Sequence, residues 1–263
     1  MKKFYFKQVL IFTFSVCIFQ WANANLTKND ELTASDIIKA ADRIRAPDQP
    51  FRYTLNLTEH AAGKVVNQQK LDVSMRFIKP DEVQDGDARA LVRFVEPVRD
   101  RGKALFSDIN QMWYFAPSLR RPIQISKQQR LIGQVANGDV VASDMDFSYN
   151  SEIISEEMCD QVQCYKLSLT RKNPSVTYPK ITYFVEKDTF RPFKSEFYSE
   201  SGVLLKRAIY ENFTPVLGTN RPTRIIVEDG LKKDSYTIMD YSNVAYESLP
   251  ESYFQKDYLL RLN

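Results

Sequence analysis

The chain has 263 residues, of which 43% are apolar and 26% charged. Those proportions are globular and exclude general disorder. The formal net charge is +3, from 36 basic and 33 acidic side chains.

That small excess is placed at one end. Lys2, Lys3 and Lys7 precede Val9–Phe19, an uninterrupted run of apolar or small residues, and Ala22-Asn23-Ala24 has the small-x-small pattern of a cleavage site. The run is shorter than the roughly 20 residues a spanning helix needs. Residues 1–24 therefore read as an export signal cleaved after Ala24, with Cys17 in its discarded core, and the expected location is the periplasm. Residues 25–263 read as a single domain. Losing three lysines from 36 basic groups leaves 33, against 33 acids, so this domain is formally neutral. A nucleic-acid binder would carry a basic excess, and that class is excluded. No second apolar run approaches 18 residues. Two cysteines remain, Cys159 and Cys164, and an even pair in an exported chain points to a disulfide; a redox-active pair is the alternative, although the spacing is not CxxC.

The elements follow in chain order. Thr33–Arg45 predicts a helix: Thr33 and Asp36 form a capping box, Ile37, Ala41 and Ile44 share a face with Ile38 beside them, and Pro47 ends it. After Pro50 the period becomes two. Phe51, Tyr53, Leu55 and Leu57 alternate with polar residues, Gly63 marks a turn, and Leu71, Val73, Met75 and Phe77 alternate again. Residues 79–87 form a polar turn. Further strands are expected at Ala90–Val95, Lys103–Asp108, Gln111–Ala116 and Pro122–Ser126. Lys127–Asn150 breaks the pattern and reads as a long loop with one short helix. Strand signals resume over 165–171, 177–186, 192–199, 203–213, 224–228 and 235–241, and Glu251–Leu262 reads as a short amphipathic end. The sum is a mainly β domain of about 11–12 strands with an early helix.

Catalytic chemistry is sparse. His60 is the only histidine, no GxSxG elbow, P-loop or GxGxxG is present, and HExxH is impossible with one His. Asp144 with Asp146, and Glu156 with Glu157, are candidates for a carboxylate pair, but nothing in the sequence sets their separation. The expectation is a protein that is not an enzyme and holds no cofactor or metal. A secreted β-sandwich hydrolase, an outer-membrane barrel and a ligand-free accessory of an exporter are the competing readings.

The positive signal is apolar. A curved sheet of this many strands can enclose more volume than its side chains fill, and an amphipathic helix can cover the opening. The runs Arg101–Leu105, Met112–Arg121 (MWYFAPSLRR), Ile125-Ser126 and Asp144–Tyr149 (DMDFSY) resemble the outer-membrane lipoprotein-sorting protein family with the LolA-like fold. Asn150-Ser151 stand where that family commonly has an acid and Leu. The resemblance implies a half-open antiparallel β-barrel with a helical lid, LolA/LolB-like. It also implies a monomeric periplasmic carrier of lipid or lipoprotein acyl chains, in transient contact with membranes and working beside an RND-type inner-membrane exporter.

Read on their own, these residues give a candidate site. Ile37, Ile38, Ala41 and Ile44 would line the lid. Phe51, Tyr53, Leu55, Leu57, Val73, Met75 and Phe77 would line the cavity, as would Trp113 and Phe115, for which an ordinary core position is the competing reading. Arg120 and Arg121 would meet an anionic head group or an acidic partner, or form a solvated basic turn.

Overall fold

A computed structural model describes Met1 and residues 32–77, 88–108, 110–141 and 144–262. The expected export signal and the polar turn at 79–87 lie outside the described residues, as does the side chain of Phe77.

Helix α1 spans Ala34–Arg45. Thr33 caps it: its side chain accepts from the Asp36 backbone N–H, and the Asp36 carboxylate accepts from the Thr33 N–H. The helix ends at Ala46, before Pro47. Strands β1 (Phe51–Ala61) and β2 (Lys64–Phe77) form a hairpin. Its turn places Ala62 and Gly63 at positive φ, a conformation that glycine adopts without a Cβ penalty. Then follow β3 (Ala88–Glu96), β4 (Ala104–Asp108), β5 (Gln111–Phe115) and β6 (Ile123–Ile125).

The segment read as a long loop is more ordered than that. It holds a small hairpin of β7 (Arg130–Ile132) and β8 (Val135–Ala136), a 3-10 turn at Asn137–Val140 and the short helix α2 (Met145–Ser148). The remaining strands are β9 (Tyr149–Cys159), β10 (Val162–Arg171), β11 (Lys180–Glu186), β12 (Pro192–Tyr198), β13 (Leu204–Val216), β14 (Thr219–Asp229) and β15 (Ser235–Tyr246). Two 3-10 helices, Glu251–Phe254 and Lys256–Arg261, make the amphipathic end.

Thirteen strands form one antiparallel sheet in the order β6-β5-β4-β3-β2-β1-β15-β14-β13-β12-β11-β10-β9. Each half is a simple meander, and β1 against β15 joins them. The outermost strands, β6 and β9, do not pair, so the sheet is not closed into a barrel. A sheet of this width twists and curls. The segment between β6 and β9 supplies cover on its inner side: Ile132, Val135 and Val140 pack with Leu55, Leu57, Val73, Met75 and Val92. Helix α1 covers the other half, with Ile37, Ile38 and Ala41 against Leu167, Leu169, Tyr183 and Tyr210. The outer side of β3–β5 is covered too, by Phe254 and Leu259 of the last two helices on Leu91, Phe106 and Phe115. Cys159 and Cys164 are joined by a disulfide across the β9–β10 turn, with Cα atoms 5.9 Å apart.

Strand β9 carries no readable strand signal, and its surroundings explain why. It is the sheet edge, and Ile153, Ile154 and Met158 are exposed among Glu152, Glu156 and Glu157. Between its buried ends, Tyr149 and Cys159, neither face is covered, so no period of two is imposed on it.

Candidate ligand cavity

Inside the curved sheet lies a cavity of about 470 Å³. That is within the range of roughly 300–1,000 Å³ for small-molecule sites. Its floor comes from the inward parity of the C-terminal meander: Ile181 of β11, Phe197 of β12, Lys206, Ala208 and Tyr210 of β13, Ile225 and Val227 of β14, and Met239 and Tyr241 of β15. Phe51 and Tyr53 add one wall. Arg45 and Pro47 at the end of α1, Asp139–Tyr149 and the turn at Lys172–Tyr178 contribute residues to the cover.

The expected site residues distribute unevenly over this geometry. Phe51 and Tyr53 line the cavity, and the Tyr53 hydroxyl donates to the Val140 carbonyl at 2.7 Å. Leu55, Leu57, Val73 and Met75 share that parity but are fully packed beneath the β7–β8 segment. Ile37, Ile38 and Ala41 are sealed between α1 and the sheet, and Ile44 is half-buried at the end of the helix. None of these eight is in the cavity wall.

Trp113 and Phe115, expected in the wall, stand on the outer side of the sheet. The register settles it. Tyr53 pairs with Val73, Val73 with Val92, Val92 with Leu105, and Leu105 with Tyr114. Tyr114 therefore has the inward parity and its two neighbours the outward one. Trp113 stacks on Phe106 with ring centroids 5.6 Å apart, under the C-terminal helices. Arg120 and Arg121 are exposed in the β5–β6 turn, at the end of β5 opposite Asn110, which lines the cavity. The four candidate acids are spent on structure. Asp144 accepts from the Phe147 N–H at the start of α2, Asp146 accepts from the Ser35 hydroxyl, Glu156 pairs with Lys187 and Glu157 with Lys166.

The cavity is less apolar than its expected counterpart. Five tyrosines line it, Tyr53, Tyr149, Tyr178, Tyr210 and Tyr241, and burial raises the pKa of each, keeping the hydroxyls protonated. Three enclosed cations also reach it, Lys206 and Arg221 buried and Arg45 half-buried. Lys206 pairs with Asp139 and donates to the Gln134 carbonyl at 3.2 Å; its ammonium lies 4.7 Å from the Tyr178 ring centre. Burial lowers the Lys206 pKa, with Asp139 opposing. Asp139 also accepts from the Tyr178 hydroxyl and the Ala136 N–H. Arg45 pairs with Asp42, which accepts in addition from the Met145 and Asp146 N–H groups and so ties α1 to α2. Burial pushes the Asp42 carboxyl up to about 6, with Arg45 pulling the other way. The third cation is Arg221 of β14, which donates from Nη1 to the Arg43 and Ile44 carbonyls and from Nε to the Val216 carbonyl.

Sequence reasoning missed Lys206, Asp139 and Arg221, because a charged residue reads as solvated. Lys206 did leave a signal. It shares the parity of Ala208 and Tyr210, both buried, in a segment that already reads as a strand.

A family model described as "uncharacterized protein"-like matches residues 86–261. No curated protein matches the chain. Among solved structures, a LolA superfamily protein from Nitrosomonas europaea is 38% identical, over 86% of this chain and 99% of its own, with a TM-score of 0.78. A DUF1329 family protein from Desulfovibrio piger is 22% identical over 86% and 97%, with a TM-score of 0.73. A domain from Vibrio parahaemolyticus, described as that of an outer membrane lipoprotein-sorting protein, is 19% identical over 86% and 97%, with a TM-score of 0.72. The last two share the fold with this chain. By its identity to the Nitrosomonas protein over nearly the whole of that chain, this chain belongs to the LolA superfamily.

Proposed function

We propose that this protein is a periplasmic carrier, not an enzyme, that takes up the acyl chain of a lipid or lipoprotein and passes it between the inner and outer membranes. The observation that carries the reading is the 470 Å³ cavity under a helical cover. Burial alone gives such a site affinity, at about 0.8 kcal/mol for each CH2 removed from water. Release then needs a shift of the cover or a competing partner. Membership of the LolA superfamily supports a carrier role, and the lipoprotein-sorting description of the Vibrio domain supports the cargo class. The lysine-flanked apolar start of the chain supports export, with cleavage after Ala24. Among the described residues no helix is long and apolar enough to cross a membrane. An RND-type exporter as the donor and a monomeric state complete the proposal.

The test is the lipid content of the protein purified from the periplasm, by extraction and mass spectrometry, together with titration of a fluorescent acyl probe. A stoichiometric lipid and saturable probe binding are expected. A protein that carries no lipid and binds no probe would overturn the reading.

A further inference from the structure

The three enclosed cations of the cavity are not equivalent. Arg45 and Lys206 each have a carboxylate within ion-pair distance, Asp42 and Asp139. Arg221 has none among the described residues. It is 7% exposed and lines the cavity. A guanidinium has five N–H donors. Nε and both hydrogens of Nη1 are spent on the carbonyls of Val216, Arg43 and Ile44. The two N–H groups of Nη2 meet no protein acceptor among the described residues. Among the described residues, the fully enclosed side-chain polar atoms without a partner are Gln69 Oε1, Ser107 Oγ and Tyr183 OH. Nη2 is not one of them, so it remains open.

Carbonyls at the end of α1 ease the burial of this charge, because they carry the negative end of the helix dipole. They do not neutralise it. Asp48 is the acid that acts on it, from an exposed position without ion-pair contact. Desolvation depresses the Arg221 pKa, as an uncompensated charge requires. A buried charge without a counter-ion is costly, and the cost falls when an anion arrives. The residues around Arg221 in the wall are Val216, Pro222, Thr223 and Ile225; only Thr223 is polar, and its hydroxyl donates to the Asn212 carbonyl.

We propose that Arg221 is the head-group site of the cavity, and that the cargo is an anionic amphiphile. Its carboxylate or phosphate accepts from Nη2 while its chain lies over the Ile225–Met239 floor. This deepens the carrier reading and rests on it. The anion supplies the charge that the protein withholds from Arg221 and gives to Arg45 and Lys206.

The experiment compares dodecanoate, dodecyl phosphate and dodecanol as competitors of a fluorescent acyl probe on the wild-type protein and on Arg221→Met. The two anions are expected to bind roughly 10- to 100-fold more tightly than the alcohol, as charge-assisted hydrogen bonds allow. Arg221→Met is expected to erase that preference while keeping alcohol binding. Equal affinities on the wild type would overturn the head-group site and leave the carrier reading intact. No binding of any of the three would overturn the carrier reading itself. Competition by inorganic phosphate alone would make this a free-anion site and overturn the amphiphile. Because Arg221 also caps α1, the Met variant can fail to fold. The wild type then gives the answer through the NMR titration of isotope-labelled dodecanoate carboxyl. A bound pKa below that of the free acid is expected; one above it would overturn the proposal.

Discussion

Lys206 of β13 and Asp139 of the segment that crosses from β6 to β9 form an ion pair, their side chains only 6% and 13% exposed. The pair pins an irregular segment to the sheet floor from 67 positions away in sequence. Removing one partner leaves the other buried and uncompensated, so Lys206→Met is expected to cost about 3–5 kcal/mol. Combining Lys206→Met with Asp139→Leu removes both charges and is expected to recover part of that loss. Urea denaturation of the single and double variants checks it. A double variant as unstable as the sum of the singles would show no coupling across the pair.

Gly133 holds the same segment against β15. Its φ is +51°, and a Cβ there would collide with Thr237 Oγ1, the oxygen that accepts from the Gln134 N–H. Gly133→Ala is expected to cost about 1–3 kcal/mol, from the left-handed backbone and the clash together. Gly63→Ala is the control. It shares the positive φ, at +74°, but a Cβ there meets nothing within 4 Å, so only the backbone cost of about 1 kcal/mol is expected. Equal losses at the two sites would mean that contact with Thr237 does not matter.

The Cys159–Cys164 bridge closes a loop of six residues. Loop-closure entropy gives such a bridge about 2 kcal/mol. For a domain of this size, paired replacement by serine should lower Tm by about 4–8 °C. Since the bridge is at the far end of the edge hairpin, acyl-probe affinity should stay unchanged. Calorimetry with a probe titration measures both.

Asp42 sets a pH dependence. Its carboxyl is raised from 3.8 to about 6 in the folded protein by burial, against the pull of Arg45. Between those values the folded state binds more protons than the unfolded one. The stabilisation is therefore fully present below about pH 4 and is lost as pH rises through about 6. The loss is on the order of 1–3 kcal/mol. Urea denaturation across this range should show it in the wild type and not in Asp42→Asn. Parallel profiles for the two proteins would assign the dependence to another group.

Much of the fold was legible because one face of most strands is buried. The alternation at Phe51–Leu57 and Leu71–Phe77 is imposed by a packed inner side, and the Thr33–Asp36 box marks the start of α1. The site was less legible, for two physical reasons. Strand parity shows that two sets of side chains differ, not which set faces the cavity, and at β5 both sides are covered: Met112 and Tyr114 inward, Trp113 and Phe115 under the C-terminal helices. The polar part of the cavity depends on partners far apart in sequence. Arg221 meets Arg43 and Lys206 meets Asp139 only once the meanders have closed.

That two-sided arrangement makes its own prediction. Trp113 is the only tryptophan after residue 24, so its fluorescence reports on the outer face of β5. Ligand entering the cavity should leave its emission unchanged. Trp113→Leu should cost about 1–3 kcal/mol of stability through the lost stack on Phe106, and nothing in probe affinity. Ile225→Phe should do the reverse for binding. Ile225 lies in the cavity floor between the two inner clusters, and a larger ring there displaces ligand. Excluding about two CH2 groups would weaken an acyl probe roughly tenfold. A ligand-dependent shift of Trp113 emission, or unaltered affinity in Ile225→Phe, would place the bound chain on the other side of the sheet.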